Sequence, residues 1–229
     1  MKTIGLIGGM SWESSSEYYR ILNEEIKLRL GGLHSAQCVL YSVDFEEIEI
    51  CQRNDEWEKA AQILTGAAHS LEASGADFII ICTNTMHKVA DEIQAGIHIP
   101  LLHIADVTAQ EVISKGIKVI GLLGTKYTME QDFYKSRLEA QGIKVLIPQE
   151  TDRVIVNDVI FNELCLGQIL EESRANYKRI IQNLIEQGAK GIILGCTEIG
   201  LLVKPEDSTV LLFDTTVLHA KEAVNLALK

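Results

Sequence analysis

Basic residues are scarce in this chain and nowhere clustered. Among its 229 residues, 21 are Lys or Arg and 32 are Asp or Glu, so the formal net charge is -11. Proteins that bind nucleic acids or anionic membranes do so through clustered cations. The charge balance therefore argues against both kinds of partner.

Long apolar runs, signal-peptide features and paired cysteines are missing as well. No apolar run approaches the ~20 residues of a membrane helix, and the first residues, MKTIGLIGGM, run straight into a strand pattern. No CxxC pair and no zinc-ligand spacing is present among the widely separated cysteines, which are Cys38, Cys51, Cys82, Cys165 and Cys196. This argues against disulfides and structural metal. We expect a cytoplasmic protein with no metal site.

Short β-branched runs alternate with longer amphipathic stretches along the whole chain. The strand-like runs include KTIGLIGG, ADFIIICT, IKVIGLLG and KGIILGC, with helical segments between them. This alternation is typical of parallel sheets that are covered by helices on both faces. The sequence therefore predicts the α/β class.

The two halves of the chain resemble each other in the same order. KTIGLIGGMSWESSSEYYR (2–20) is similar to KVIGLLGTKYTMEQDFYK (118–135), and GADFIIICTNT (75–85) matches GAKGIILGCTE (188–198) without a gap. A weaker match links residues 100–112 to residues 210–224. Three matches in one order favour duplication over the chance similarity of α/β units. We predict two pseudo-symmetric lobes, 1–112 and 113–208, and a C-terminal strand and helix (209–229) that can pack back on the first lobe.

The repeat indicates which residue of the first lobe corresponds to Cys196. It pairs Cys82 with Gly195 and Thr83 with Cys196. Side chains alternate across a strand, so Thr83 faces as Cys196 does and Cys82 faces the other way, as a small buried hydrophobe. Ligands of open α/β sheets bind beyond the carboxyl ends of strands. We therefore expect Thr83 and Cys196 to line opposite sides of one cleft.

Cys196 is the better candidate for a nucleophile or a base. Thr197 and Glu198 follow it at a predicted helix or turn N-terminus, where free N–H groups lower the pKa of a thiol. The alternative is a buried structural cysteine at a strand end. A carboxylate at Glu198 would act in the opposite direction and raise that pKa.

The motifs at these strand ends resemble those of the aspartate/glutamate racemases. The resemblance runs nearly end to end and rests on IGLIGGMSWES, TNTMH, IGLLGTKYTM and GCTEIGLL, and GGMSWES is similar to the broad-specificity branch. It implies two pseudo-symmetric lobes with the active site between them, a small amino-acid substrate, no pyridoxal phosphate or other cofactor, and a homodimer. It also implies a two-base mechanism, in which a cysteine thiolate removes the α-proton and a cysteine thiol on the opposite face returns one.

The first-lobe motif departs from that family. Most members carry Cys-Asn-Thr, whereas here Asn84 and Thr85 follow Thr83. A hydroxyl is a far weaker acid than a thiol, whose pKa is about 8.5, so Thr83 suits proton donation to a basic carbanion better than proton abstraction. In the family the second-lobe cysteine serves the L-enantiomer. The resemblance therefore predicts an asymmetric racemase that favours L to D, with Thr83 acting directly or through water.

Several other residues are expected near the substrate. Gln52 stands where aspartate-specific members have an Arg, which admits broad specificity, and His87 is interpreted as a helix-terminus residue rather than a general base. A turn or helix cap is the alternative role for most of the binding candidates. Those candidates are Met10, Ser11, Gln52, Asn84, Thr85, Thr125 and Thr197.

Two other functions remain open from the sequence. A single cleft cysteine that protonates a carbanion also fits a decarboxylase or a maleate-type isomerase of the same superfamily. A non-catalytic protein that binds an amino acid between two lobes is the alternative from a different class.

Overall fold

The computed structural model describes all residues, 1–229, and contains two parallel β-sheets with helices between the strands. The strands are β1 (Ile4–Gly8), β2 (Cys38–Ser42), β3 (Phe78–Ile81), β4 (Val119–Gly124), β5 (Lys144–Leu146), β6 (Gly191–Gly195) and β7 (Leu211–Asp214). The helices are α1 (Trp12–Leu30), α2 (Phe45–Arg53), α3 (Trp57–Ala73), α4 (Ala90–Gly96), α5 (Ile104–Ser114), α6 (Lys126–Glu130), α7 (Asp132–Glu139), α8 (Glu150–Asn162), α9 (Glu171–Glu186), α10 (Ile199–Leu202) and α11 (Thr215–Ala227). Short 3₁₀ turns cover Thr85–Val89, Leu164–Leu166 and Pro205–Asp207. The predicted α/β class with parallel sheets is confirmed.

Residue contacts divide the chain into two compact units. Unit 1 comprises residues 1–104 and 219–229, and unit 2 comprises residues 105–218. The division falls within helices α5 and α11, whereas the predicted boundary after residue 112 lies further along α5. Of the predicted C-terminal segment, strand β7 belongs to unit 2 because it pairs with β6, and only residues 219–229 belong to unit 1.

Unit 1 is built on the sheet order β2-β1-β3. All five residues of β1 and all four of β3 are buried, as expected for parallel strands that are covered on both faces. Helix α3 places Ala60, Leu64, Ala67 and Leu71 in the core, at the spacing of one helical face. The unit thus holds the carboxyl ends of β1 and β3 on a packed scaffold.

Unit 2 is built on the sheet order β5-β4-β6-β7. Its core joins Leu123 of β4 and Ile192 of β6 to apolar residues of α8 and α9, including Tyr177 and Ile181. No helix in either unit combines the length and the apolar character needed to cross a membrane.

The strand register of the two units agrees with the internal repeat. In unit 1, Gly5 pairs with Ile79, and in unit 2 the corresponding Gly121 pairs with Ile192. Each strand pair continues in parallel toward its carboxyl end, where Thr83 follows β3 and Cys196 follows β6. The residues that the repeat equates therefore occupy equivalent places in the two sheets.

Candidate functional site

Strand β3 of unit 1 is followed by two residues of different exposure. Cys82 is fully buried, whereas Thr83 is partly exposed between buried Cys82 and Asn84. Burial raises the pKa of the Cys82 thiol far above its ordinary value, because a thiolate there would lose its hydration. Thr83 is thus the accessible polar residue directly after the strand, and Cys82 has the environment of an inert core residue.

The backbone at this strand end is held by three hydrogen bonds. The Cys82 N–H donates to the Ile7 carbonyl at 2.9 Å, and the Ser14 hydroxyl donates to the Cys82 carbonyl at 2.8 Å. The Thr83 carbonyl lies 2.8 Å from Nδ1 of His87. Carbonyls beyond a strand end have no ladder partner, and side chains satisfy both of them here.

Strand β6 of unit 2 ends in the same pattern of exposure. Cys196 is partly exposed between the buried residues Gly195 and Thr197. The strand end itself is tightly packed: a Cβ on Gly195 would lie 2.8 Å from the Leu123 carbonyl, and a Cβ on Gly124 would lie 2.8 Å from the Gly195 carbonyl. Glycine is needed at both positions for β4 and β6 to approach this closely.

Cys196 donates its S–H to a buried carboxylate. Its Sγ lies 2.9 Å from Oε2 of Glu198, which also accepts the Thr197 hydroxyl at 2.6 Å and is only 3% exposed. Burial first, and the Glu198 charge second, raise the pKa of the Cys196 thiol well above its ordinary value. The prediction that this strand end lowers the thiol pKa is therefore wrong, because burial and a neighbouring carboxylate outweigh the backbone N–H groups.

The other predicted binding residues lie near one or the other strand end. Ser11 caps α1 by accepting the Ser14 N–H at 3.3 Å, and Thr125 caps α6 by accepting the Thr128 N–H at 3.4 Å. The Gln52 amide donates to Sδ of Met86 at 3.1 Å, which links α2 to the 3₁₀ turn after Thr83. In unit 1 the buried candidates are Met10, Ser11, Gln52, Asn84 and Thr85, and in unit 2 they are Thr125 and Thr197.

A group of buried histidines in unit 1 was not assigned a functional role from the sequence. The ring of His87 lies 4.6 Å from that of His103 and 5.7 Å from that of His219, between centroids, and His219 is hydrogen-bonded to Tyr18 at 2.9 Å. His87 lies in the 3₁₀ turn Thr85–Val89, in keeping with its interpretation as a helix-terminus residue, and its ring also contacts the Thr83 carbonyl. Only the short spacing from Thr83 to His87 could have indicated this contact, because the other members are far apart in the chain.

Comparison with known proteins decides the family. The model of the Asp/Glu/Hydantoin racemase family matches residues 7–223. The chain belongs to this family. Over 172 residues, 75% of this chain and 73% of the relative, it is 29% identical to the broad-specificity amino-acid racemase RacX of Bacillus subtilis (strain 168).

Solved structures of related proteins share the fold over the full length. A candidate Asp/Glu racemase from Yersinia pestis is 57% identical with a TM-score of 0.94, and all of both chains is covered. An aspartate racemase homologue from Pyrococcus horikoshii OT3 is 35% identical with a TM-score of 0.87, again over both whole chains. The predicted racemase resemblance and the isomerase class are thereby confirmed at the level of the family.

Proposed function

We propose that this protein is a cofactor-independent amino-acid racemase of the aspartate/glutamate type, with specificity beyond aspartate admitted by Gln52. Cys196 removes the α-proton of the L-enantiomer, and Thr83 delivers a proton to the opposite face of the same carbon. One observation carries the proposal: Thr83 and Cys196 are each the partly exposed residue between buried neighbours at equivalent strand ends. Both side chains carry an atom that can exchange a proton, Sγ of Cys196 and Oγ1 of Thr83, as proton transfer at the two faces of one carbon requires.

Glu198 provides the base that the other two groups lack. At rest Thr83 is a hydroxyl, and the raised pKa of Cys196 keeps it a thiol. Since the Cys196 S–H already points at Glu198, 2.9 Å away, we expect a coupled transfer. The thiol proton moves to Oε2 of Glu198 while Sγ takes the α-proton, and the electron pair of the broken C–H bond stays on the substrate.

The second half of the reaction returns a proton to the carbanion. Thr83 gives its hydroxyl proton to the opposite face and is reprotonated by water, while the Glu198 carboxyl loses its proton to water. One proton is taken from solvent and one is returned, so no net change occurs besides inversion. Buried Asn84 and Thr85, next to Thr83, are the candidates for holding the substrate amino acid.

The asymmetry of the site appears in proton exchange. Because the two enantiomers have equal free energies, kcat/KM for net inversion is the same in both directions. The first step from the L-enantiomer uses the Cys196–Glu198 pair. The first step from the D-enantiomer requires the Thr83 hydroxyl to lose its own proton first, which is unfavourable because a hydroxyl is a far weaker acid than a thiol. Exchange of the α-proton with solvent is therefore expected to be faster for L than for D.

Deuterium wash-in at Cα tests this proposal directly. L- and D-aspartate, and then other amino acids, are incubated separately in deuterated water and followed by NMR. We expect initial wash-in from the L-enantiomer to exceed that from the D-enantiomer at least ~10²-fold, the lower end of one general-base contribution. Equal rates would contradict the role of Thr83, and absence of wash-in from every amino acid would overturn the racemase. Release of CO2 from substituted malonates without α-exchange would identify the decarboxylase instead.

Changing Glu198 to Gln should make alkylation of Cys196 faster and racemisation slower. Loss of the carboxylate charge lowers the pKa of the Cys196 thiol, so alkylation by iodoacetamide at pH 8 becomes faster and its pH midpoint falls. Loss of the proton acceptor slows racemisation, by roughly 10²-fold for one acid–base group. If Glu198 only suppressed formation of the Cys196 thiolate, replacing it would make racemisation faster instead. The rate of racemisation against pH, measured beside the alkylation rate, separates the two cases.

A further inference from the structure

The buried histidines of unit 1 form a connected group that touches the Thr83 backbone. His87, His103 and His219 are each no more than 7% exposed. The proposed mechanism uses none of them. We refer to these three residues with Tyr18 as the histidine cluster.

The hydrogen bonds of His87 fix its charge state and its tautomer. The Ile104 N–H donates to Nε2 of His87 at 3.2 Å, and a backbone N–H can only donate. Nε2 must therefore carry a lone pair, which leaves the ring proton on Nδ1. That proton is donated to the Thr83 carbonyl at 2.8 Å. His87 is a neutral bridge from residue 104 to residue 83.

The other members of the histidine cluster hold residues 102–104, which include the Ile104 N–H that binds His87. Nε2 of His219 donates to the Leu102 carbonyl at 2.9 Å, so its Nδ1 accepts the hydroxyl of Tyr18. Burial lowers the pKa of His219 to about 4, so this ring is neutral near pH 7. Residues 102–104 are thereby held in place by His219, and they in turn hold His87.

Ser14 supplies a second hydrogen bond to the same backbone. Its hydroxyl holds the Cys82 carbonyl, and the Cys82 N–H is bound to Ile7 in β1. With the bond from His87, three of the four backbone polar groups of residues 82 and 83 have a fixed direction. The orientation of the Thr83 Cα–Cβ bond is set by these groups, because the peptide planes on either side cannot rotate freely.

We infer that His87 is a positioning residue for the proton-return step, acting through the Thr83 carbonyl. This inference rests on the proposed racemase function. A misplacement of about 1 Å can cost about 10²-fold in rate, and it would here affect the group that protonates the carbanion. The first proton removal from the L-enantiomer uses Cys196 and Glu198, whereas the two hydrogen bonds of His87 described above go to the backbone of residues 83 and 104. Loss of the bridge should therefore slow inversion more than it slows exchange with retention.

Two substitutions of His87 separate its two hydrogen bonds. In His87→Asn the amide nitrogen takes the place of Nδ1 and can still donate to Thr83, whereas in His87→Gln the amide oxygen takes the place of Nε2 and can still accept from Ile104. Each variant loses one buried hydrogen bond, so similar thermal unfolding midpoints are expected. The readout is the ratio of deuterium wash-in with retention to inversion, both measured from L-aspartate.

For His87→Gln we expect this ratio to rise at least ~10-fold, with kcat for inversion falling and KM nearly unchanged. For His87→Asn the ratio should stay within about threefold of its value in the unsubstituted protein, because this variant keeps the hydrogen bond to the Thr83 carbonyl. A threefold change corresponds to less than the contribution of one typical hydrogen bond. Equal ratios in all three proteins, with inversion still measurable, would overturn the inference and leave the racemase proposal standing. If the unsubstituted protein exchanges the α-proton of no amino acid with solvent, the proposed function itself is contradicted.

Ser14→Ala provides a second test if the His87 variants do not fold. It deletes the bond to the Cys82 carbonyl, and its ratio should rise in the same direction. Ser70→Ala is the matched control, because the Ser70 hydroxyl also donates to a carbonyl, that of Gly66 in α3 at 3.0 Å. A ratio that rises equally for Ser70→Ala, or stays constant for Ser14→Ala, would contradict positioning through this backbone.

Discussion

Replacement of Cys196 by Ser is expected to reduce α-proton exchange from L-aspartate by at least ~10³-fold, within the range for loss of a general base. The serine hydroxyl can keep the hydrogen bond to Glu198 but is a far poorer acceptor of the α-proton. Wash-in at Cα by NMR measures the loss. Retained thermal stabilisation by L-aspartate would show that the site still binds.

Cys38→Ala is the matched control for this experiment. Cys38 is a partly buried thiol in strand β2 of unit 1, and burial raises its pKa too. We expect its removal to leave exchange unchanged. Wild-type exchange in the Cys196→Ser variant would show that another group removes the proton.

Thr83→Cys is expected to raise deuterium wash-in from D-aspartate by about 10²-fold, because a thiol ionises where a hydroxyl does not. The ratio of L to D wash-in should fall toward one. Because the enantiomers are equal in free energy, net inversion should rise in both directions. Separate initial rates from the two enantiomers provide the measurement.

Cys82→Ala is the companion variant for the register at this strand end. The Cys82 side chain is fully buried, so its truncation should lower stability slightly and leave the L to D wash-in ratio unchanged. A large change of that ratio in Cys82→Ala, with no response in Thr83→Cys, would show that Cys82 transfers the proton and that our proposal names the wrong neighbour.

Much of the fold could be predicted because its signals are local. Strands and helices follow from short-range hydrophobic periodicity, and the gapless repeat in the sequence equates Thr83 with Cys196. The division of the chain was less accessible. Units 1 and 2 divide within α5 and α11, not at the predicted lobe boundaries. The sequence gives no sign of such a division, because a helix has the same local pattern on both sides of it.

The properties of the candidate groups were harder to predict than their positions. Thr197 and Glu198 follow Cys196 in the sequence, but adjacency does not show which oxygen faces the thiol or how far water is excluded. The contact at 2.9 Å and the burial of Glu198 together reverse the expected direction of the thiol pKa. Solvation depends on everything packed around a group, and no sequence motif encodes it.

The α/β class and the family could be predicted from the sequence alone. The duplicated halves and the choice of Thr83 over Cys82 are predictions of the same kind, since each rests on order and spacing along the chain. Only the tertiary structure joined His219 to Tyr18 and His87 to Ile104. Tyr18 and His219 are 201 residues apart, and a hydrogen bond over that separation depends on the path of the whole chain. Candidates for the reacting groups can thus be proposed from alignment, whereas hydrogen bonds between residues far apart in the chain are visible only in the folded structure.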